Sequence, residues 1–196
     1  MCVPRSITPT LVSVAHSLKT QKRSRGSQRW AFDLEFAPMT RAEWQPIFAF
    51  LVKQRGRYGT FQWTLPTPLL TPLGSLGGSP VVNNNAGSPT ASQAGTRALW
   101  TSGWTAALSA ALKAGDFLLP AGGSGKVYMA TEDVGTDSNG FASIQIEPAL
   151  MDDIAHGAAL TVSSVPFTVS ITKDSLESAL ALGPQYGINL ELIEDV

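Results

Sequence analysis

The chain has 196 residues, of which 43% are hydrophobic and 15% charged, which supplies one good core or two small ones and predicts a globular protein. A single cysteine, Cys2, excludes an intrachain disulfide and a multi-thiolate zinc site, and its place at the chain terminus assigns it no role. The net charge is −1, no run of about 18 apolar residues predicts a transmembrane helix, and Ser13, His16 and Ser17 interrupt the stretch Leu11 to Leu18 too often for a signal peptide, so action without Sec export is expected.

The near-neutral total conceals an uneven distribution. Up to Arg57 ten bases face three acids, a net +7, whereas the remainder holds four bases and twelve acids, a net −8. Such a dipole suits copies that stack head to tail, or separate basic and acidic partners; two solvated faces without a partner is the plain alternative.

Residues Leu11 to Lys19 alternate loosely and predict a first strand. The run from Lys19 to Gly26 reads as a charged hairpin tip, solvated or reaching a neighbour. Lys19, Lys22, Arg23 and Arg25 are therefore candidate inter-subunit contacts. With no aromatic residue for base stacking, the run does not read as a nucleic-acid site.

From Trp30 to Pro66 the pattern is strand, capped helix, strand. Large apolar residues occupy every second position of Trp30 to Phe36, the period of a half-buried strand. Thr40 and Glu43 make a capping box, so a helix starts at Arg41, with Met39 and Trp44 at hydrophobic-staple positions. Trp44, Ile47, Phe48, Leu51 and Val52 form its apolar stripe. Pro46 predicts a bend, and Gly56 is the expected left-handed residue at the helix end. Thr60 to Leu65 resumes alternation. Trp30, Trp44 and Trp63 are read as core, so Trp63→Ala is expected to cost about 3–5 kcal/mol.

Pro, Gly, Ser, Thr and Asn dominate Pro66 to Gly95, which predicts a connector; its glycines lack the Gly-Lys-Ser/Thr of a phosphate loop. Beyond Arg97 follow a short strand (Ala98 to Thr101) and one or two helical turns within Ala106 to Lys113. A hairpin then joins the segment Leu112 to Leu119 to Lys126 to Thr131, and further strands are expected at Phe141 to Ile146 and Ala159 to Val162. Several short strands joined by Gly/Asn turns suggest a small barrel or sandwich. Asp137-Ser138-Asn139-Gly140 lacks the first ligand and the bidentate Glu of a calcium loop and reads as a plain turn. Closing strands, Phe167 to Thr172 and Tyr186 to Glu194, are expected to pair with the opening ones. The domains expected are thus 1–66 plus 165–196, a connector 67–96, and an inserted β-unit 97–164.

No catalytic, metal or cofactor constellation emerges. His16 and His156 lie in unrelated contexts without a second imidazole or thiolate at ligand spacing, and no nucleophile motif accompanies them. Binding or assembly is the expected role, with no enzyme activity. Trp100 and Trp104 offer the one plausible platform for a carbohydrate-binding module, the competing reading.

The segments Phe32-Asp33-Leu34-Glu35-Phe36-Ala37-Pro38-Met39-Thr40 and Arg55-Gly56-Arg57-Tyr58-Gly59-Thr60-Phe61-Gln62-Trp63-Thr64-Leu65-Pro66, with a helix between, resemble the core of distal and minor tail proteins of long-tailed bacteriophages. The stretches Ala114-Gly115-Asp116-Phe117, Lys126-Val127-Tyr128, Gly140-Phe141-Ala142 and Ile144 to Leu150 resemble the β-rich module inserted in such proteins. Together they cover about half of the chain. The resemblance implies a mainly β (α+β) fold: a split-barrel belt domain with one helix, carrying an inserted small β-barrel or β-sandwich. It also implies a homo-oligomeric ring, sixfold in expectation, that joins the tail tube protein to hub, baseplate and fibre proteins and lets DNA pass without sequence-specific binding. The implied location is the virion tail, after assembly in the host cytoplasm, with no membrane partner. The long connector and Pro46 are departures from that pattern.

Overall fold

The computed structural model describes residues 1–66, 71–84, 92–175, 178–180 and 186–196. Its strands are β1 (Cys2–Ile7), β2 (Thr10–Val14), β3 (Thr20–Ser24) and β4 (Arg29–Glu35), followed by helix α1 (Arg41–Lys53) and β5 (Thr60–Thr64). Then come β6 (Gly78–Val82), β7 (Ala98–Trp104), β8 (Phe117–Pro120), β9 (Tyr128–Ala130), β10 (Ala142–Glu147) and β11 (Leu160–Thr161). Strands β12 (Pro166–Ile171), β13 (Ser178–Leu180) and β14 (Tyr186–Glu194) complete the chain. Among the described residues the fold is mainly β with one α-helix, as expected. Two compact units emerge, Met1–Gln62 with Thr168–Asp195, and Trp63–Phe167 with Val196.

In the first unit the sheet runs β1-β4-β14-β12-β5, with β13 paired to the start of β14. The closing strand lies beside the opening one: Phe32 faces Leu192 and Leu34 faces Leu190, all four buried. These are the alternating positions of β4 and β14, so period-two patterning alone puts them on one face. On the other face Asp33 stands directly opposite Glu191, a destabilising like-charge pair. Arg5 of β1 resolves it by donating to Asp33 at 2.7 Å and to Glu191 at 2.6 Å. That guanidinium, with the Thr172 hydroxyl at 3.0 Å, holds the Glu191 carboxyl below the usual glutamate range.

Helix α1 begins at the expected cap. The Glu43 carboxylate accepts the Thr40 N–H and the Thr40 hydroxyl, both at 2.9 Å, which lowers the Glu43 pKa. Its apolar stripe is buried less fully than expected. Only Leu51 is buried, Trp44, Ile47 and Phe48 are half-buried, and Val52 is exposed. At about 100° per residue Val52 stands at the rim of the stripe, about 80° from Trp44 near its middle. Trp44 stacks against Phe48 and against Tyr186 at the start of β14, with ring centroids 4.8 and 4.7 Å away. The helix runs through Pro46. At its end the first left-handed residue is Arg55 (φ 58°), with Gly56 (φ 65°) behind it. Gly56 has a further reason to be glycine. A Cβ there would lie 2.9 Å from Asp174 Oδ1, the atom that accepts the Arg57 N–H at 3.2 Å.

The second unit is a nearly closed six-stranded barrel in the order β11-β8-β9-β10-β7-β6, and Val81 of β6 pairs with Ala159 beside β11 to bring the ends together. Strand β10 shows strict alternation, with Ala142, Ile144 and Ile146 inside and Ser143, Gln145 and Glu147 outside. Leu99, Leu112, Leu118 and Tyr128 fill the same core. Thr101 and Asp116, two of its buried polar side chains, are paired. Thr101 Oγ1 accepts the Trp104 indole N–H at 2.8 Å and donates to the Ala142 carbonyl at 3.0 Å. Asp116, from the Ala-Gly-Asp-Phe segment, accepts the N–H groups of Leu73, Gly74 and Lys113 at 2.8, 3.1 and 2.8 Å.

Two expectations for this unit are corrected. The stretch read as a structureless connector contains β6, whose Val82 is fully buried, because a single valine pair inside a Gly/Pro-rich segment is too short to carry a visible period. Ala106 to Lys113 forms no helix. Ala107 is left-handed (φ 57°), and the Ala107 and Ala111 N–H groups reach Asp137 and Val134, so tertiary hydrogen bonds override the helix propensity of the alanines. Where the register of the antiparallel pair β6–β7 shifts, Gly103 (φ 84°) leaves room for Ser79, whose carbonyl oxygen would lie 2.5 Å from an added Cβ.

Candidate interaction surface

Strands β2 and β3 form a separate two-stranded ribbon, and every residue of both is exposed. Five pairs, from Thr10 opposite Ser24 to Val14 opposite Thr20, give about 17 Å of ribbon. The tip closes through the Leu18 N–H to Ala15 O at 2.8 Å and the Ala15 N–H to Lys19 O at 3.0 Å. Leu18 at that tip is left-handed (φ 60°) and 84% exposed. This corrects the placement of Lys19 to Gly26. The tip is Ala15 to Lys19, and Lys22 and Arg23 lie on the returning strand. Glycine was the misleading signal, because the turn uses a strained leucine and Gly26 lies beyond β3.

All four predicted contact residues therefore belong to one hairpin, but on different sides. Lys22 is opposite Val12 and Arg23 is opposite Leu11, and these neighbouring pairs point to opposite faces. Lys19 is at the tip, and Arg25 follows β3, its N–H bonded to Pro9 O at 3.1 Å. Among the described residues none of the four forms an ion pair. Nor does an acid occur anywhere in the first 32 residues. Leu11, Val12 and Val14 are each about half exposed or more.

Such a ribbon is marginal by itself. A two-stranded hairpin without a packed face has little to offset the entropy of ordering it, and both its edges present unpaired backbone groups. The sheet of the first unit is also open: β1 and β5 end its strand order. Pro4 suits the β1 edge because it has no N–H to leave unpaired, yet Val3 and Ile7 on that strand are exposed. Near β5, Phe50 meets Phe61 edge to face at 5.2 Å and still leaves 45% of its surface in solvent. The exposed Val52 and Tyr58 flank the same stretch of chain.

Other candidate positions have structural roles. Trp104 is a core residue of the barrel, which removes it from any sugar-binding platform and leaves only the half-buried Trp100. His156 Nδ1 accepts the Asn84 N–H at 3.2 Å, and His16 is exposed in the hairpin turn. Asp137 Oδ1 accepts the N–H groups of Asn139 and Phe141, at 2.8 and 2.9 Å, as a plain turn does. Cys2 is not loose: it sits in β1 opposite Leu34, half-buried, and burial pushes its thiol up, away from the reactive thiolate. Among the described residues no group of three or more metal-ligating side chains occurs, and no helix is long and apolar enough to cross a membrane. No protein-family model matches the chain, and a search of curated proteins returns no significant match.

Proposed function

We propose that this chain is a structural subunit of a long-tailed bacteriophage tail tip, assembling into a ring between the tail tube protein and the hub, baseplate and fibre proteins. It has no enzymatic role in this reading, and DNA crosses the ring without sequence-specific contact. The virion tail is its place, reached by assembly in the host cytoplasm. The observation that carries the proposal is the open sheet of the first unit, with two unpaired edges and exposed apolar side chains beside them. Copies arranged head to tail cover the two different edges of each sheet by one repeated contact, and a head-to-tail contact that closes on itself makes a ring. The segments that resemble tail proteins coincide with β4, which neighbours the β1 edge, and with β5, which is the opposite edge, with α1 between them in sequence.

Negative-stain microscopy of the purified protein tests the reading. Closed rings with a central hole, sixfold in expectation, support it. Strict monomers at all concentrations, absent also from isolated virions, overturn it.

A further inference from the structure

Resting on that ring reading, we propose that the β2–β3 hairpin of one copy docks on the acidic barrel unit of a second copy, at the corner formed by Met151, Asp152 and Asp153. The hairpin holds Lys19, Lys22, Arg23 and Arg25 without an acid, interleaved with exposed Leu11, Val12, Val14 and Leu18. The Trp63–Phe167 unit has the opposite balance, with three bases and seven acids, a net −4. Four of its carboxylates, Glu132, Asp137, Asp152 and Asp153, form no ion pair among the described residues, and neither do the four hairpin cations. Charge complementarity therefore points from arm to barrel.

The corner matches the arm in apolar character as well as in sign. Met151 is 48% exposed, one of the few large apolar side chains that the barrel unit shows to solvent. The two carboxylates beside it are held in place: Asp152 Oδ2 accepts the Ser124 N–H and Asp153 Oδ1 the Ala94 N–H, both at 2.8 Å. The acidic surface of unit 1 is a poorer match, because Asp33 and Glu191 there are already paired with Arg5. Nucleic acid is also a poorer match. Phosphates give the aliphatic side chains nothing to bury against, and the hairpin has no aromatic residue for a base to stack on. The apolar groups lie along the shaft as well as at the tip, which suits a protein surface better than a bilayer.

The test uses full-length protein as an equal mixture of ¹⁴N and ¹⁵N copies, coupled with a zero-length carbodiimide and mapped by mass spectrometry. Heavy-to-light links from Lys19 or Lys22 to Asp152 or Asp153 are expected. The double substitution K22E/R23E should weaken association about tenfold, and mixing it with D152K/D153K should restore it; both sets are exposed or partly exposed, so folding is checked simply by circular dichroism. Assembly unchanged by K22E/R23E, or hairpin links confined to Asp33, Glu35 or the same copy, overturns the docking while leaving the ring intact. A wild type that never associates defeats the ring reading itself. Wild-type binding to a labelled DNA duplex, or to phosphatidylglycerol vesicles, that K22E/R23E abolishes without changing association assigns the arm to phosphate instead and also overturns the docking.

Discussion

The two units solve the edge problem of β-structure in opposite ways. The Trp63–Phe167 unit curls six short strands almost into a closed barrel, so that nearly every strand has neighbours on both sides. The other unit stops at β1 and β5 and projects a bare ribbon. Hydrophobic burial follows the same division. Twenty of the thirty buried apolar residues described belong to the barrel unit, whereas ten of the thirteen exposed large ones belong to the open-sheet unit. Closure satisfies backbone groups and excludes water from a core within one chain. An open sheet leaves edge groups and apolar side chains to solvent or, in the proposed ring, to another copy.

Substitutions can break or sharpen this contrast. The largest effect should come from the barrel core: Ile144→Ala, at a fully buried site, should cost about 2–5 kcal/mol in a denaturant titration. A loss under about 1 kcal/mol would mean that the barrel is not tightly packed. Next is Gly103→Ala, which forces a left-handed backbone on alanine and sets its Cβ against the Ser79 carbonyl; about 2 kcal/mol or more is expected, as a lowered denaturation midpoint. Trp63→Ala should cost about 1–3 kcal/mol, less than full burial would imply, because the ring is half-buried and meets Phe167 with centroids 6.4 Å apart.

Acid should act on both units. Glu43 and Glu191 in the open-sheet unit, and Asp133 and Asp152 in the barrel unit, are held below their ordinary ranges by hydrogen bonds from Thr40, Arg5, Lys113 and Ser124 respectively. A carboxyl depressed by folding contributes stability above its unfolded pKa and loses it as the pH falls through the folded value. The denaturation midpoint should therefore drop between about pH 5 and pH 3; a midpoint that rises over this range would contradict those contacts. The smallest effect belongs to the arm. Val12→Ala should change monomer stability by less than about 0.5 kcal/mol, since its side chain is more than half exposed.

Strands with a wet side and a dry side were legible in the sequence. β4, β10 and β14 each put apolar residues on alternate positions because one face is buried, and Thr40 with Glu43 announced α1. What was hidden shares a physical cause. Strands β1, β2 and β3 bury no face of their own, so no core imposes a period on their residues. The tip at Leu18 carries no Gly or Asn, and β6 is short and surrounded by turn-formers. The arm's cations were legible as a charge run, but Lys22 and Arg23 were not separable into faces until the register with Val12 and Leu11 was known. Trp63 and Val52 were assigned to the core by periodicity alone, which fixes a direction and not the width of what covers it.

Hydrogen exchange of the full-length protein, compared between dilute and concentrated solution, tests most directly whether other copies complete the open unit. Amides of β1, β2, β3 and β5 should exchange rapidly when dilute and slow markedly as copies associate, while those of β9 and β10 stay protected throughout. Exchange in β1, β2, β3 and β5 that is already slow in dilute monomer, or that does not change with concentration, would contradict the account.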